Sequence, residues 1–188
     1  MDKTNTPDEL VDVVNGKDQV IGQATKGQVN SNPALIHREI AILLYSGDKV
    51  LIQQRSHNKA VMPLIWTTSV AGHIPRGMAP EAAAHMELTE ELGFDTSLSF
   101  IKKEFFRMHH ETHFCYDYAG ELPKSLAIQP NFDEIEKIKL VNRKELEQMI
   151  EAGEHIEEGS KGDFYLFWNG KIRSLPKPLR APAAPASD

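Results

Sequence analysis

Gly72-His73-Ile74-Pro75-Arg76-Gly77-Met78-Ala79-Pro80-Glu81-Ala82-Ala83-Ala84-His85-Met86-Glu87-Leu88-Thr89-Glu90-Glu91-Leu92-Gly93-Phe94 is the stretch whose reading decides the fold. Pro80 suits the first turn of a helix and Gly93 its end, so the pattern predicts a helix over 80–92 behind a glycine-rich turn. Glu87, Glu90 and Glu91 then stand at i, i+3 and i+4 and share one helix face. Carboxylates crowded within one turn repel each other, and near a helix C-terminus the dipole disfavours them as well. A hard cation among them removes both costs, and Mg²⁺ prefers carboxylate oxygens, water and substrate phosphates. A solvated acidic helix face has the same spacing.

Working outward, residues 10–14 and 19–23 read as a hairpin about Asn15-Gly16-Lys17-Asp18. A second strand pair, 40–45 and 50–54, flanks Ser46-Gly47-Asp48. Strands are expected near 98–107, 111–119 and 136–141, with a helix near 143–152. Residues 1–9 are polar and read as a flexible N-terminus, 10–175 as one domain, and 176–188 as a disordered tail rich in Pro and Ala. Strands and helices interleave irregularly, as in an α/β fold with a mixed sheet between helices.

The chain has 188 residues, enough for one full core. Its net charge of −6 argues against a general nucleic-acid surface. A phosphorylated small molecule stays compatible, because local cations and a metal outweigh the mean charge. Cys115 is the single cysteine, so no intramolecular disulfide forms. With no signal-like apolar start, this predicts a cytoplasmic setting, and no run is long enough to span a membrane.

The opening stretch resembles the Nudix box, in which a glycine, a spaced glutamate and a run R-E-U-x-E-E-x-G-U recur, U being bulky and apolar. Gly72, Glu87, Leu88, Glu90, Glu91, Gly93 and Phe94 match, while Met78 stands for the first glutamate and Met86 for the arginine. Those two positions support the loop–helix turn in the family by pairing with each other. Replacing both partners costs less than stranding one, so Met78 is expected to pack on Met86. Further matches are Gln53-Gln54-Arg55-Ser56-His57-Asn58-Lys59 and Trp66-Thr67-Thr68-Ser69-Val70-Ala71-Gly72-His73. They resemble the branch that includes type I isopentenyl diphosphate isomerase. The likeness covers roughly residues 10–150 and implies a Nudix-type α/β/α sandwich with an N-terminal hairpin.

The resemblance also implies roles. Glu87, Glu90 and Glu91 would hold Mg²⁺, with Mn²⁺ as the alternative ion. Arg55 and Lys59 match a pair that holds the substrate diphosphate, and a guanidinium fork with a lysine suits phosphate. On spacing alone they read sooner as two surface cations, and the resemblance reverses that preference. A second metal ion would draw on His37, His73, Glu111 and His113, with Asn30 at a further ligand position. Residues 109, 111 and 113 share a face of a strand, so His109 would join them; a plain polar strand face is the alternative. Trp168 and Phe164-Tyr165-Leu166-Phe167 read either as a pocket cover or as core.

Ala71 stands where the isomerases carry the cysteine that moves a proton at the allylic carbon. Alanine has no titratable group, and Cys115 reads as a small buried hydrophobe. The expectation is therefore a Mg²⁺-dependent hydrolase that cleaves a small diphosphate-linked substrate, nucleoside-linked or related. Glu90, Glu91 or Glu111 would take the proton, with Glu134 and Glu136 as other acids within reach. A non-catalytic diphosphate-binding protein and an isomerase are the competing readings. A homodimer could form through the free edge of the first hairpin.

Overall fold

A computed structural model describes residues 9–59, 61–123 and 127–172. The first hairpin joins β1 (Leu10–Val14) to β2 (Val20–Thr25), and a short helix α1 (Lys26–Val29) follows. Next come β3 (Ile36–Ser46), β4 (Lys49–Arg55), β5 (Trp66–Thr67) and β6 (Val70–His73). Helix α2 (Pro80–Leu92) leads to β7 (Leu98–Arg107), β8 (Thr112–Glu121) and β9 (Ile135–Val141). Helices α3 (Arg143–Glu151) and α4 (Glu158–Trp168) end the described chain.

The long strand β3 organises the sheet. It pairs in parallel with β8 on one side and antiparallel with β6 on the other, then turns into β4. Strand β7 extends the sheet beyond β8, and β9 pairs with β4. The sheet is therefore mixed, as expected.

Both faces of the middle of β3 and β4 are covered, which is why residues 40–45 and 50–52 are continuous apolar runs. Ile40, Ile42, Leu44 and Leu51 face one way, against Ala83, Ala84, Leu88 and Leu92 of α2. Leu43, Val50 and Ile52 face the other way, against Leu146 and Met149 of α3 and Phe164 and Phe167 of α4. A sheet between helical layers is the α/β/α sandwich.

The bounds of α2 match the expected 80–92, with Pro80 in the first turn and Gly93 at φ 76° closing the end. Helix α4 was not legible as a helix. It carries Gly159 and Gly162, and its start is held by Glu157, whose carboxylate accepts the Gly159 and Ser160 amides at 2.8 and 2.6 Å. The aromatic run within it is core rather than pocket cover: Phe164 and Phe167 are fully buried, and Trp168 packs on the same cluster.

Residues 1–8 of the expected flexible start, and the expected tail at 176–188, lie outside the described residues. Glu9 is described and pairs with Lys26 at 2.5 Å. No helix of the described residues is long and apolar enough to cross a membrane.

Candidate active site

One face of β6, β3 and β8, the carboxylates of α2, the loop after β4 and the start of α4 enclose a cavity of about 620 Å³. Arg55, Lys59, His73, Glu87, Glu90, Glu91, Glu111 and His113 all line it, whereas His37 is fully buried and does not.

Arg55 ends β4 and donates from Nε and Nη2 to the Val61 carbonyl at 3.2 and 3.0 Å. Those bonds fix one edge of the guanidinium and close a tight loop. Within it Met62 and Leu64 hold φ values of 50° and 61°, a conformation that non-glycine residues adopt only when surroundings impose it. Lys59 hangs from the same loop and pairs with Glu134. Burial and the neighbouring Arg55 charge push its ammonium down to about 8. Two cations thus crowd one wall of the cavity.

The opposite wall carries the acids. Glu87 and Glu91 are buried and Glu90 half-buried, all three lining the cavity. Burial, with the charge of Glu91 added, pushes Glu87 up to about 8. Burial likewise raises Glu91 to about 7, against a bond from Gln53 Nε2 at 2.9 Å and the charges of Lys59 and Arg55. Gly72 explains how Glu87 reaches this place: a Cβ there would lie 2.4 Å from the Glu87 carboxyl carbon. Buried, undercompensated carboxylates of this kind fit a hard cation.

A second group gathers on the sheet face. Donor atoms of His37, Glu39, Glu111 and His113 all lie within 4.8 Å of one another. Glu39 is 3.2 Å from His37 Nε2, 3.4 Å from His73 Nε2 and 3.7 Å from His113 Nε2. Burial alone would raise its carboxyl, yet the charges of His113 and His73 hold it well below the usual range. Burial raises Glu111, and the Glu39 charge adds to this. His73 stacks on His37 at 4.9 Å and meets Asn30 Oδ1 at 2.8 Å, and burial pushes its imidazole down to about 4. The Nδ1 atoms of His37 and His113 are buried with no hydrogen-bond partner among the described residues. Imidazole and carboxylate donors with open, buried nitrogens fit a metal ion.

Sequence reasoning did not find Glu39. The signal was the alternation of His37 and Glu39 along one strand, but its meaning depends on which strands flank β3. His109 is exposed rather than part of this face, because β8 begins at Thr112 and the chain bends before it. Glu136 pairs with His57 at 2.7 Å on the surface and does not line the cavity, whereas Glu134 does. Cys115 is buried as expected but faces the cavity, its thiol pushed well up by burial and the Asp117 charge. Met78 packs against the core under α2, and Met86 is half-buried on that helix.

Support for the box loop comes from the N-terminal hairpin. Asp12 Oδ2 accepts the Gly77 amide at 3.0 Å, and the Leu10 carbonyl accepts the Arg76 amide at 2.9 Å. A turn tied down in this way has less need of an ion pair between the positions of Met78 and Met86.

Residues 35–159 match the NUDIX domain model. An isopentenyl-diphosphate Delta-isomerase 2 of Photorhabdus laumondii is 30% identical over 171 residues, covering 88% of this chain and 90% of that protein. An isopentenyl-diphosphate Delta-isomerase II of Clarkia breweri is 26% identical, and the match covers 81% of this chain and 60% of that protein. Among solved structures, the DR0079 protein of Deinococcus radiodurans superposes with a TM-score of 0.67 at 24% identity, over 79% of this chain and 93% of that one. A MutT NUDIX hydrolase of Burkholderia pseudomallei superposes with a TM-score of 0.59 at 13% identity, over 69% and 96%.

Proposed function

The chain belongs to the NUDIX domain family, and from that premise we propose that it is a Mg²⁺-dependent hydrolase of a small molecule linked through a diphosphate. One observation carries the reading. The cavity sets crowded cations, Arg55 and Lys59, against buried and undercompensated carboxylates, Glu87 and Glu91. A diphosphate relieves the first set and a divalent cation the second, so the two ligands together neutralise both walls.

In this reading Arg55 offers the rest of its guanidinium to the diphosphate, its other edge being anchored on Val61. Lys59 adds a point charge, released from Glu134 as the anion arrives. Glu87, Glu90 and Glu91 hold Mg²⁺, or Mn²⁺, which when bound neutralises diphosphate oxygens and makes the attacking water more acidic. A carboxylate of the chain accepts the proton. Glu90, Glu91 and Glu111 all line the cavity and serve as candidates, and the buried acids titrate as a set rather than singly. His37, Glu39, Glu111 and His113, with His73 beside them, form the second metal position.

The likeness to isomerases gives the second reading. Against it, Ala71 lines the cavity with no titratable group, and the Cys115 thiol is held protonated by burial.

The test is phosphate or pyrophosphate release across nucleoside di- and triphosphates, nucleotide sugars, dinucleoside polyphosphates and isoprenyl diphosphates, with and without Mg²⁺. Release that needs the metal and is abolished by Glu91→Gln, with the circular dichroism spectrum unchanged, is the expected result. Undiminished turnover in Glu91→Gln overturns the metal assignment. Allylic proton exchange with solvent supports the isomerase instead. Tight diphosphate binding without turnover marks a binding protein.

A further inference from the structure

The cavity continues past the histidines along the same sheet face. Registered partners across neighbouring strands present their side chains to one side. Ala71, Ala41, Asp117 and Lys102 make one such row, since Ala41 pairs with Ala71 and Asp117, and Asp117 pairs with Lys102. Cys115 and Glu104 stand one row nearer the histidines. The two alanines leave the floor low, so this end stays open instead of filling with core. Beyond it Leu43 and Ala119 are already part of the apolar cluster.

The roof over this row is the first half of α4. Ser160 is fixed there, its Oγ accepting the Thr68 amide at 2.9 Å and sharing a bond with Thr67 Oγ1 at 3.0 Å. Asp163, one turn on, faces down onto the row. Lys102 Nζ lies 2.7 Å from Asp163, 2.6 Å from Glu104 and 3.5 Å from Asp117, and Cys115 Sγ donates to Asp117 at 3.0 Å. One ammonium therefore serves three carboxylates. An ammonium has three N–H groups and a carboxylate accepts at both oxygens, so this end of the cavity has an excess of acceptors and of negative charge. Asp117 and Asp163 are both more than nine-tenths buried and both line the cavity, so bulk water does not make up the difference.

We propose that this end of the cavity is the subsite for the group carried on the diphosphate, and that it takes a hydrogen-bond-donating group, an ammonium or a set of hydroxyls, rather than a hydrocarbon chain. The proposal rests on the diphosphate reading of the other end. A hydrocarbon seated here would strip solvent from the exposed Glu104 and return no hydrogen bond to any of the three carboxylates, which is unfavourable. A donor-bearing group would complete their shells. Asp163, Asp117 and Glu104 are thus specificity-determining residues.

The experiment is calorimetric titration of the full chain, with Mg²⁺ present, using non-hydrolysable methylene diphosphonate esters of three kinds: a sugar ester, an aminoalkyl ester and an isoprenyl ester. The expected result is binding of the sugar or the aminoalkyl ester about tenfold or more tighter than the isoprenyl ester. The tighter of the two names the donor. Asp163→Asn and Glu104→Gln should each shrink that preference severalfold. Glu104 is a partly exposed strand residue whose replacement leaves the fold intact, as a thermal melt would verify. Isoprenyl binding as tight as the others, or a preference unmoved in both variants, overturns the subsite while leaving the diphosphate reading in place. Failure of all three esters to bind overturns both.

Discussion

Gly72 and Glu87 show at the scale of single residues why the box keeps a glycine. The side chain of Glu87 occupies the space where any Cβ at 72 would sit, 2.4 Å from its carboxyl carbon. Gly72→Ala must therefore push Glu87 away from the cavity. Because only the flexible tip of Glu87 has to move, the expected stability cost is small, under about 1 kcal/mol, while under the proposed function kcat should fall about 100-fold. Denaturant titration and steady-state rates check both, and an active Gly72→Ala protein would remove Glu87 from the metal site. Asp163 gives a second prediction. Burial, with the Asp117 charge added, pushes its carboxyl up to about 6 from an ordinary value near 3.8. Lys102 is nonetheless held above its usual range by the same group of acids. The two agree if one ammonium is divided among three carboxylates, too little for each of them. The sign follows from proton counts: between about pH 4 and pH 6 the folded chain keeps a proton that the unfolded chain has released. Stability from this group is full below about pH 4 and is lost as pH rises through 6, by about 2–3 kcal/mol. Asp163→Asn should flatten that part of the stability–pH curve, and an unchanged slope would mean that Lys102 compensates the charge in full.

At the scale of elements, α2 carries two parallel stripes at i, i+4 spacing. Ala84, Leu88 and Leu92 are wholly buried in the core, while Ala83, Glu87 and Glu91 lead along the helix to the cavity. One short helix therefore anchors itself and presents acids, and its mixed stripes explain why it looks only weakly amphipathic. Its entry is tied to β1. Asp12, buried, accepts the Gly77 amide. Asp12→Ala should cost about 1–3 kcal/mol, because it leaves that amide without its acceptor. Asp12→Asn, which keeps an acceptor oxygen, should recover most of the loss. The comparison needs only denaturant midpoints of the three proteins.

At the scale of the whole molecule, charges from distant parts of the chain meet in one cavity. Arg55 and Lys59 come from the loop after β4, the glutamates from α2, and Asp163 from α4. Such a site stores repulsion that ligands remove, so ligand binding should stabilise the entire fold. Mg²⁺ at about 100 times its Kd should add about 2.7 kcal/mol to unfolding. The gain should vanish when Glu87 and Glu91 are both changed to Gln. A thermal melt with and without the metal reads this, and equal shifts in both proteins would place the cation elsewhere.

Local chemistry made much of this legible in advance. Pro80 and Gly93 bound α2, the turn residues fixed both hairpins, and helical spacing put Glu87, Glu90 and Glu91 together. These depend on neighbours within a turn or a hairpin, and a sequence records neighbours directly. The parallel register of β3 on β8 is different, because no short-range rule sets it. That register alone brings Glu39 beside His113 and lays Asp117 beside Ala41. It also decides that Cys115 faces the cavity while His109, before the strand begins, faces solvent. The docking of α4, whose glycines hid it as a helix, then sets Asp163 over that row. The sequence by itself thus determined the family, the layers and the acidic helix. Only the tertiary structure decided what stands opposite those acids and how polar the far end of the cavity is, because strand pairing and helix docking join residues far apart along the chain.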